Sequence, residues 1–302
     1  MGTGKPDDEA RRGGIVLDRA FAELRPTMFA LAYRITGSRA DAEDIVQDAF
    51  VRLHGAQPEE AVRSLKAYLA TITARLSLNR LRDQKARRET YIGEWLPEPI
   101  VTDDDPAVHA EDISFALLVV LERLSAVERV VFVLRSAFDL PFEEIAAVVA
   151  RDAVSCRKIF SRARTRVMTE RPRFTIDRAR HRAVMRSFIE ATQYGDVASL
   201  AALLDDNIVL HGDGGGKALA NKRPVVGSVA VARFVIALTQ TLPADTVLEE
   251  ILLNGAPAFI VAKSGGQVVV AVIIETDGNR IQTVFAIANP DKLEAIRWPA
   301  VS

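Results

Sequence analysis

Apolar side chains recur at three- and four-residue spacing along most of the first half of the chain. Phe21, Leu24, Met28, Leu31 and Ala32 form one stripe, which Ile35 continues until Gly37 breaks it. Ser38, with Asp41 in the next turn, reads as the start of a second helix running to about Leu53. Gly55-Ala56-Gln57-Pro58 is a loop signal. A third helix, over about Ser64 to Arg88, carries Leu65, Leu69, Ile72, Leu76 and Leu81 on its apolar side. The pattern stops at Trp95-Leu96-Pro97-Glu98-Pro99. Those prolines and the run Asp103-Asp104-Asp105-Pro106 predict a linker over 94–107 rather than an element. Helices resume with Phe115 to Leu124 and continue to about Thr169, and Pro172 marks a stop.

Past about residue 180 the period changes. One amphipathic helix carries Val184, Phe188 and Ala191 to Gly195-Asp196, and a short one follows over Val197 to Leu204. Then come runs rich in β-branched residues: Ile208 to Leu210, Ala258 to Ala262, Gln267 to Glu275 and Arg280 to Ala288. Gly265-Gly266 and Asp277-Gly278-Asn279 separate the last three, a hairpin signature. The fold class is therefore an all-α part followed by an α+β domain with a mostly antiparallel sheet, the boundary falling near 173–180.

Composition narrows the class little further. Apolar residues make up 49% and charged residues 26%, the ordinary mix of a globular protein and not of a disordered or collagen-like chain. The single cysteine, Cys156, cannot form an internal disulfide. A membrane helix needs about 20 apolar residues, and the clean runs here are short, such as Val268 to Ile274. Met1 to Gly14 is polar and of mixed charge, unlike a secretory signal. The expectation is a cytoplasmic protein with no membrane partner.

Net charge is −1, but its distribution is uneven. Arg151 to Arg186 holds twelve Lys/Arg against three acids, and Arg75 to Arg88 holds six against Asp83. Between them, Glu94 to Asp112 holds seven acids and no Lys or Arg. Two basic blocks fit a nucleic-acid surface, because phosphate contacts supply most of the non-specific affinity. They fit solvated helix faces equally well.

The sharpest feature lies between Leu124 and Val167. A helix over Phe142 to Val149, a break at Ala150 to Ala153 and a helix over Val154 to Met168 have helix-turn-helix proportions. Cys156, Ile159, Phe160, Ala163 and Val167 share one face of the second helix. Arg157, Lys158, Arg162 and Arg166 lie outside it, as a groove-reading helix requires. Cys156 on the packed face reads as an inert thiol.

Leu124-Ser125-Ala126-Val127-Glu128-Arg129-Val130-Val131-Phe132-Val133-Leu134-Arg135, with Phe142-Glu143-Glu144-Ile145-Ala146 and Arg162-Ala163-Arg164, resembles region 4 of an extracytoplasmic-function (ECF) RNA polymerase sigma factor. Asp41-Ala42-Glu43-Asp44-Ile45-Val46-Gln47-Asp48-Ala49-Phe50 resembles that family's region 2. The remainder resembles the subgroup with a fused SnoaL-like domain, through Trp95-Leu96-Pro97-Glu98-Pro99, Asp213-Gly214-Gly215-Gly216-Lys217 and Asn289-Pro290-Asp291-Lys292-Leu293.

The resemblance implies region 2 over 15–90, an acidic linker over 91–113, region 4 over 114–172 and a SnoaL-like cone with a curved antiparallel sheet over 180–302. It implies that Asp41, Glu43, Asp44, Gln47 and Asp48 dock on the β′ subunit of core RNA polymerase, which also brings the β subunit as partner. Promoter DNA would meet Lys66, Tyr68, Arg75, Asn79, Arg80 and Arg82, with the loop over 54–64, at the −10 element. Arg75 stands where many members carry asparagine. Arg157, Lys158, Arg162 and Arg164 would face the −35 element. The extension would regulate in cis, with no separate anti-sigma factor required.

Three readings remain open on the residues. An exposed tryptophan is unfavourable in water, so Trp95 is expected to pack on the C-terminal domain, with the glycine turn allowing close approach and Asp213, Lys217, Asp291 and Lys292 supplying paired charges. The alternative is Trp95 packed on region 2 and a loosely tethered cone. A one-component helix-turn-helix regulator with a ligand-sensing cone would explain residues 114–302 but not the 41–50 motif. A SnoaL-type cyclase or isomerase needs an acid/base group, for which His211 and Asp213 are the local candidates. The sequence calls for no cofactor and no metal, the four histidines His54, His109, His181 and His211 being scattered. An unidentified small molecule is the one ligand the cone admits.

Overall fold

The computed structural model describes residues 6–56, 64–102, 114–170 and 177–296. Pro58 and most of the −10 loop lie outside the described residues, as do the Asp103-Asp104-Asp105 run, His109 and the stop at Pro172. The chain forms two compact units. Of the described residues, the first takes in the chain to Gln84 and Leu121–Thr169, and the second takes in 85–102, 114–120, Glu170 and 177–296.

The first unit is all helix. Helix α1 (Pro6–Thr36) starts well before the stripe that begins at Phe21, and Pro6 is preorganised for its first turn. Gly37 ends it at φ 68°, and the Ser38 hydroxyl then accepts from the Asp41 amide at the head of α2 (Arg39–Ala56). Helix α3 (Leu65–Glu89) follows, its end passing into the second unit. After α4 (Phe115–Glu122), most of which belongs to the second unit, Ser125 and Glu128 form a reciprocal capping box on α5 (Ala126–Phe138). Helices α6 (Phe142–Val149) and α7 (Ala153–Glu170) are joined through Ala150 at φ 54°. Arg129 on α5 is buried. It forks onto Glu122 at 2.7 and 3.0 Å and donates to the Ile35 carbonyl at 2.7 Å, so its charge is paired inside the unit, while its Nε has no hydrogen-bond partner.

The second unit is built on a six-stranded sheet. Helices α8 (Arg178–Tyr194) and α9 (Val197–Leu203) lead into β1 (Leu204–Asp213), β2 (Val225–Val226) and α10 (Ser228–Thr239). Strands β3 (Thr246–Leu253), β4 (Ala256–Lys263), β5 (Val268–Thr276) and β6 (Ile281–Ile287) follow, with a last turn, α11 (Pro290–Leu293). The order is β2-β1-β6-β5-β4-β3, antiparallel except between β1 and β6. Register shifts in β1, at β4–β5 and at β5–β6 let the sheet bend.

Alternation divides the sheet into two faces. Ile208, Leu210, Phe259, Val272, Ile274 and Val284 face the helices α8, α9 and α10. Ala258, Ile260, Ala271, Ile273, Phe285 and Ile287 face the other way, where Leu96, Phe115, Ala116 and Val119 cover them. Residues 96–100 are thus a buried strap and not the free linker that two prolines suggest. Leu96, Pro97, Pro99 and Ile100 need burial, and prolines have no amide to leave unpaired there. Asn254 holds the strap's far end, exchanging two hydrogen bonds with Ile100.

Candidate functional site

Helix α7 is the candidate duplex reader. Cys156, Ala163 and Val167 are buried against the bundle, and burial pushes the Cys156 thiol up, away from thiolate reactivity. Arg157, Lys158, Arg162 and Arg164 are all exposed, Lys158 and Arg162 opposite Cys156, and Arg157 and Arg164 on its flank. Asp152 starts the helix: its carboxylate accepts from the Ser155 amide at 2.7 Å and from the Ser155 hydroxyl at 2.6 Å, which holds it below the usual carboxylate range. The helix therefore presents its cations from a fixed start. Phe160 packs between Phe132 and Phe142, keying α7 to α5 and α6. Arg157 pairs with Glu143 at 2.8 Å and lies over the Phe142 ring.

The acidic helix α2 departs from expectation at one end. Asp44, Gln47 and Asp48 are exposed and Glu43 is half-buried, giving a compact polar face. Asp41 is turned inward, 8% exposed, where Arg80 reaches it at 2.6 Å and Gln84 bonds its second oxygen. Neither Asp41 nor Arg80 stands free on its expected surface, because each neutralises the other. On α3, Lys66, Asn79 and Arg82 are exposed and Tyr68 is half-buried. Arg75 is exposed and donates to the Ala147 carbonyl on α6 at 3.1 Å, and Lys66 lies 5.8 Å from the Phe138 ring centre.

The three motifs of the second unit converge on Asp213. This carboxylate is 0% exposed and accepts from Lys292 Nζ at 2.6 Å, the Leu96 amide at 2.9 Å, the Gly215 amide at 3.1 Å and the Tyr91 hydroxyl. Lys292, itself buried, also donates to the Leu96 carbonyl and stands 3.4 Å from the Trp95 ring centre. Trp95 meets Tyr91 edge-on, and Arg88 covers it. Trp95 therefore touches Lys292 of the C-terminal domain together with Arg88, at the end of α3, and Tyr91.

The glycines are there for proximity. At Gly214 a Cβ would stand 2.4 Å from the Ala218 carbonyl, and at Gly216 one would stand 2.9 Å from Ile92. Asn289 caps α11 through the Asp291 amide and donates to Tyr91; its partner Pro290 opens the turn and Leu293 anchors it in the core. Lys217 and Asp291 pair at 2.6 Å on the surface. Burial and the hydrogen bond to Asp213 push the Tyr91 hydroxyl well above the ordinary tyrosine range.

Sequence reasoning missed Tyr91 and Glu94. Their only signal was position, four and one residues before Trp95. Glu94 bonds His211 Nδ1 at 2.8 Å, and His211 stacks on Phe285. His211 and Asp213 thus sit on the strap side of β1, opposite Leu210. The two acid/base candidates are engaged with the strap. Among the described residues, no cluster of three or more His, Cys, Asp or Glu is placed to hold a metal.

Residues 20–87 match the family Sigma-70 region 2, and residues 114–167 match Sigma-70, region 4. The chain is 40% identical over 227 residues to the ECF RNA polymerase sigma factor SigJ of Mycobacterium tuberculosis, across 73% of this chain and 72% of that one. It is 32% identical over 284 residues to the probable ECF RNA polymerase sigma factor SigI of the same species, across 92% and 95%. The crystal structure of M. tuberculosis extracytoplasmic function sigma factor SigJ matches with a TM-score of 0.74 at 34% identity, across 94% of this chain and 99% of that chain. That match takes in the α+β unit as well as the helical parts.

Proposed function

This chain belongs to the ECF RNA polymerase sigma factors with a SnoaL-like C-terminal domain, and on that premise we propose how its surfaces divide the work of initiation. A sigma factor binds core RNA polymerase and promoter DNA. Here the Glu43, Asp44, Gln47 and Asp48 face of α2 docks on a basic surface of the polymerase. Helix α7 reads the −35 duplex through Arg157, Lys158, Arg162 and Arg164, and α3 serves the −10 element through Lys66, Tyr68, Asn79 and Arg82, with Arg75 joining once it releases Ala147. The observation that carries this reading is α7, an exposed row of cations backed by a buried apolar stripe.

The C-terminal domain regulates in cis by clasping the strap between the two sigma regions, in place of a separate anti-sigma factor. Catalysis is no part of the reading, since Glu94 and Lys292 already engage His211 and Asp213. The test is capture of purified core polymerase by the full chain. Asp44→Lys with Asp48→Lys should abolish capture while leaving the helical content intact, both residues being exposed. Undiminished capture by the double variant would overturn the docking assignment.

A further inference from the structure

A cavity of about 590 Å³ opens between the sheet and helices α8 and α10, on the face of β1 opposite the Asp213 clasp. Its size falls within the roughly 300–1,000 Å³ of small-molecule pockets. Its walls include Phe188, Phe234, Leu248, Phe259, Val270 and Val272. Among the described residues that line it there is no Asp, Glu, His, Lys, Arg, Tyr or Cys.

The lining hydroxyls are occupied too. Thr192, Thr239, Thr241 and Thr246 donate to the main-chain carbonyls of Phe188, Ile236, Leu238 and Pro243. The other polar side chains that line it are the uncharged amides of Gln193, Asn221 and Gln240, so a charged guest would meet no opposite charge, which is unfavourable, whereas an apolar one would leave water for matching walls. One wall is the loop over 218–221, which continues from the glycine turn. Asn221 packs on Gly212, whose missing Cβ makes room for it, and donates to the Arg223 carbonyl at 2.9 Å.

We propose that this cavity is a binding site for an uncharged, largely apolar small molecule. The site's regulatory meaning depends on the sigma-factor function proposed above, whereas binding itself does not.

The test titrates the full chain, without polymerase or DNA, with N-phenyl-1-naphthylamine, an uncharged fluorophore that brightens in apolar surroundings. Saturable brightening at one probe per chain is expected. Ala286→Phe, from the lining strand β6, should fill the cavity and weaken binding about tenfold or more. Leu219→Trp, at a mouth residue 68% exposed whose change does not threaten the core, should also weaken it. The sulfonated analogue 8-anilino-1-naphthalenesulfonate, with similar rings but a negative charge, should bind more weakly than the neutral probe. No saturable brightening, equal affinity in both variants, or tighter binding of the sulfonate would each overturn the proposal. Because transcription is not the readout, loss of sigma activity and loss of this site are separate results.

Discussion

A carboxylate with no solvent contact needs a cation and donors around it, and Asp213 has Lys292, two amides and a hydroxyl. Removing one member of such a buried pair leaves the other uncompensated, at a cost of about 3–5 kcal/mol. Asp213→Ala should therefore lower the unfolding temperature of the C-terminal domain by calorimetry and expose the Leu96 amide to hydrogen exchange. An unchanged transition would show that the pair is not buried as described. Tyr91 gives a second check. Its folded-state pKa is raised, so its stabilising contribution is full below the ordinary tyrosine value near 10 and is lost as pH rises through the folded-state value. Tyr91→Phe should leave the phenolate absorbance change near pH 10 unaltered. A smaller absorbance change near pH 10 in the variant would contradict the burial.

Among elements, the helices of the first unit were legible because each has one apolar face and a period of 3.6. Helix α10 and strand β3 were not. Val229 to Leu238 is apolar almost all round and rich in β-branched residues, so no period marks it as a helix. Leu248, Glu249, Glu250 and Ile251 interrupt strict alternation, as a half-buried edge strand permits. The parallel pairing of β1 with β6 joins segments about seventy-five residues apart in sequence, beyond any local signal. The three glycine, proline and lysine motifs were legible as candidates, but their meeting at one carboxylate was not, because the convergence is tertiary. Helix α7 makes its own prediction. The Arg157–Glu143 pair is exposed on both sides and therefore worth little, so the guanidinium can exchange Glu143 for DNA. Single alanine variants at Arg157, Lys158 and Arg162 should each reduce promoter output. A base contact costs about 1–3 kcal/mol and relaxes preference at one −35 position, while a phosphate contact weakens all sequences alike. Unaltered output from all three would remove α7 as the reader.

Across the molecule, two helical sigma regions and an α+β domain occupy one chain, and the strap that separates the regions in sequence is part of the second compact unit. Among the described residues no helix is long and apolar enough to cross a membrane. The regions follow from local patterns of about ten residues, whereas the strap's role depends on contacts between residues 91–96, 213–216 and 289–292. As a sigma factor, this chain directs core RNA polymerase to particular start sites. Transcription in vitro with purified core enzyme on a promoter library measures that directly. Transcripts should begin at discrete positions sharing −35 and −10 sequences, only when the full chain is added, and should vanish with the Asp44→Lys, Asp48→Lys variant. A transcript pattern indistinguishable from core enzyme alone would contradict the account.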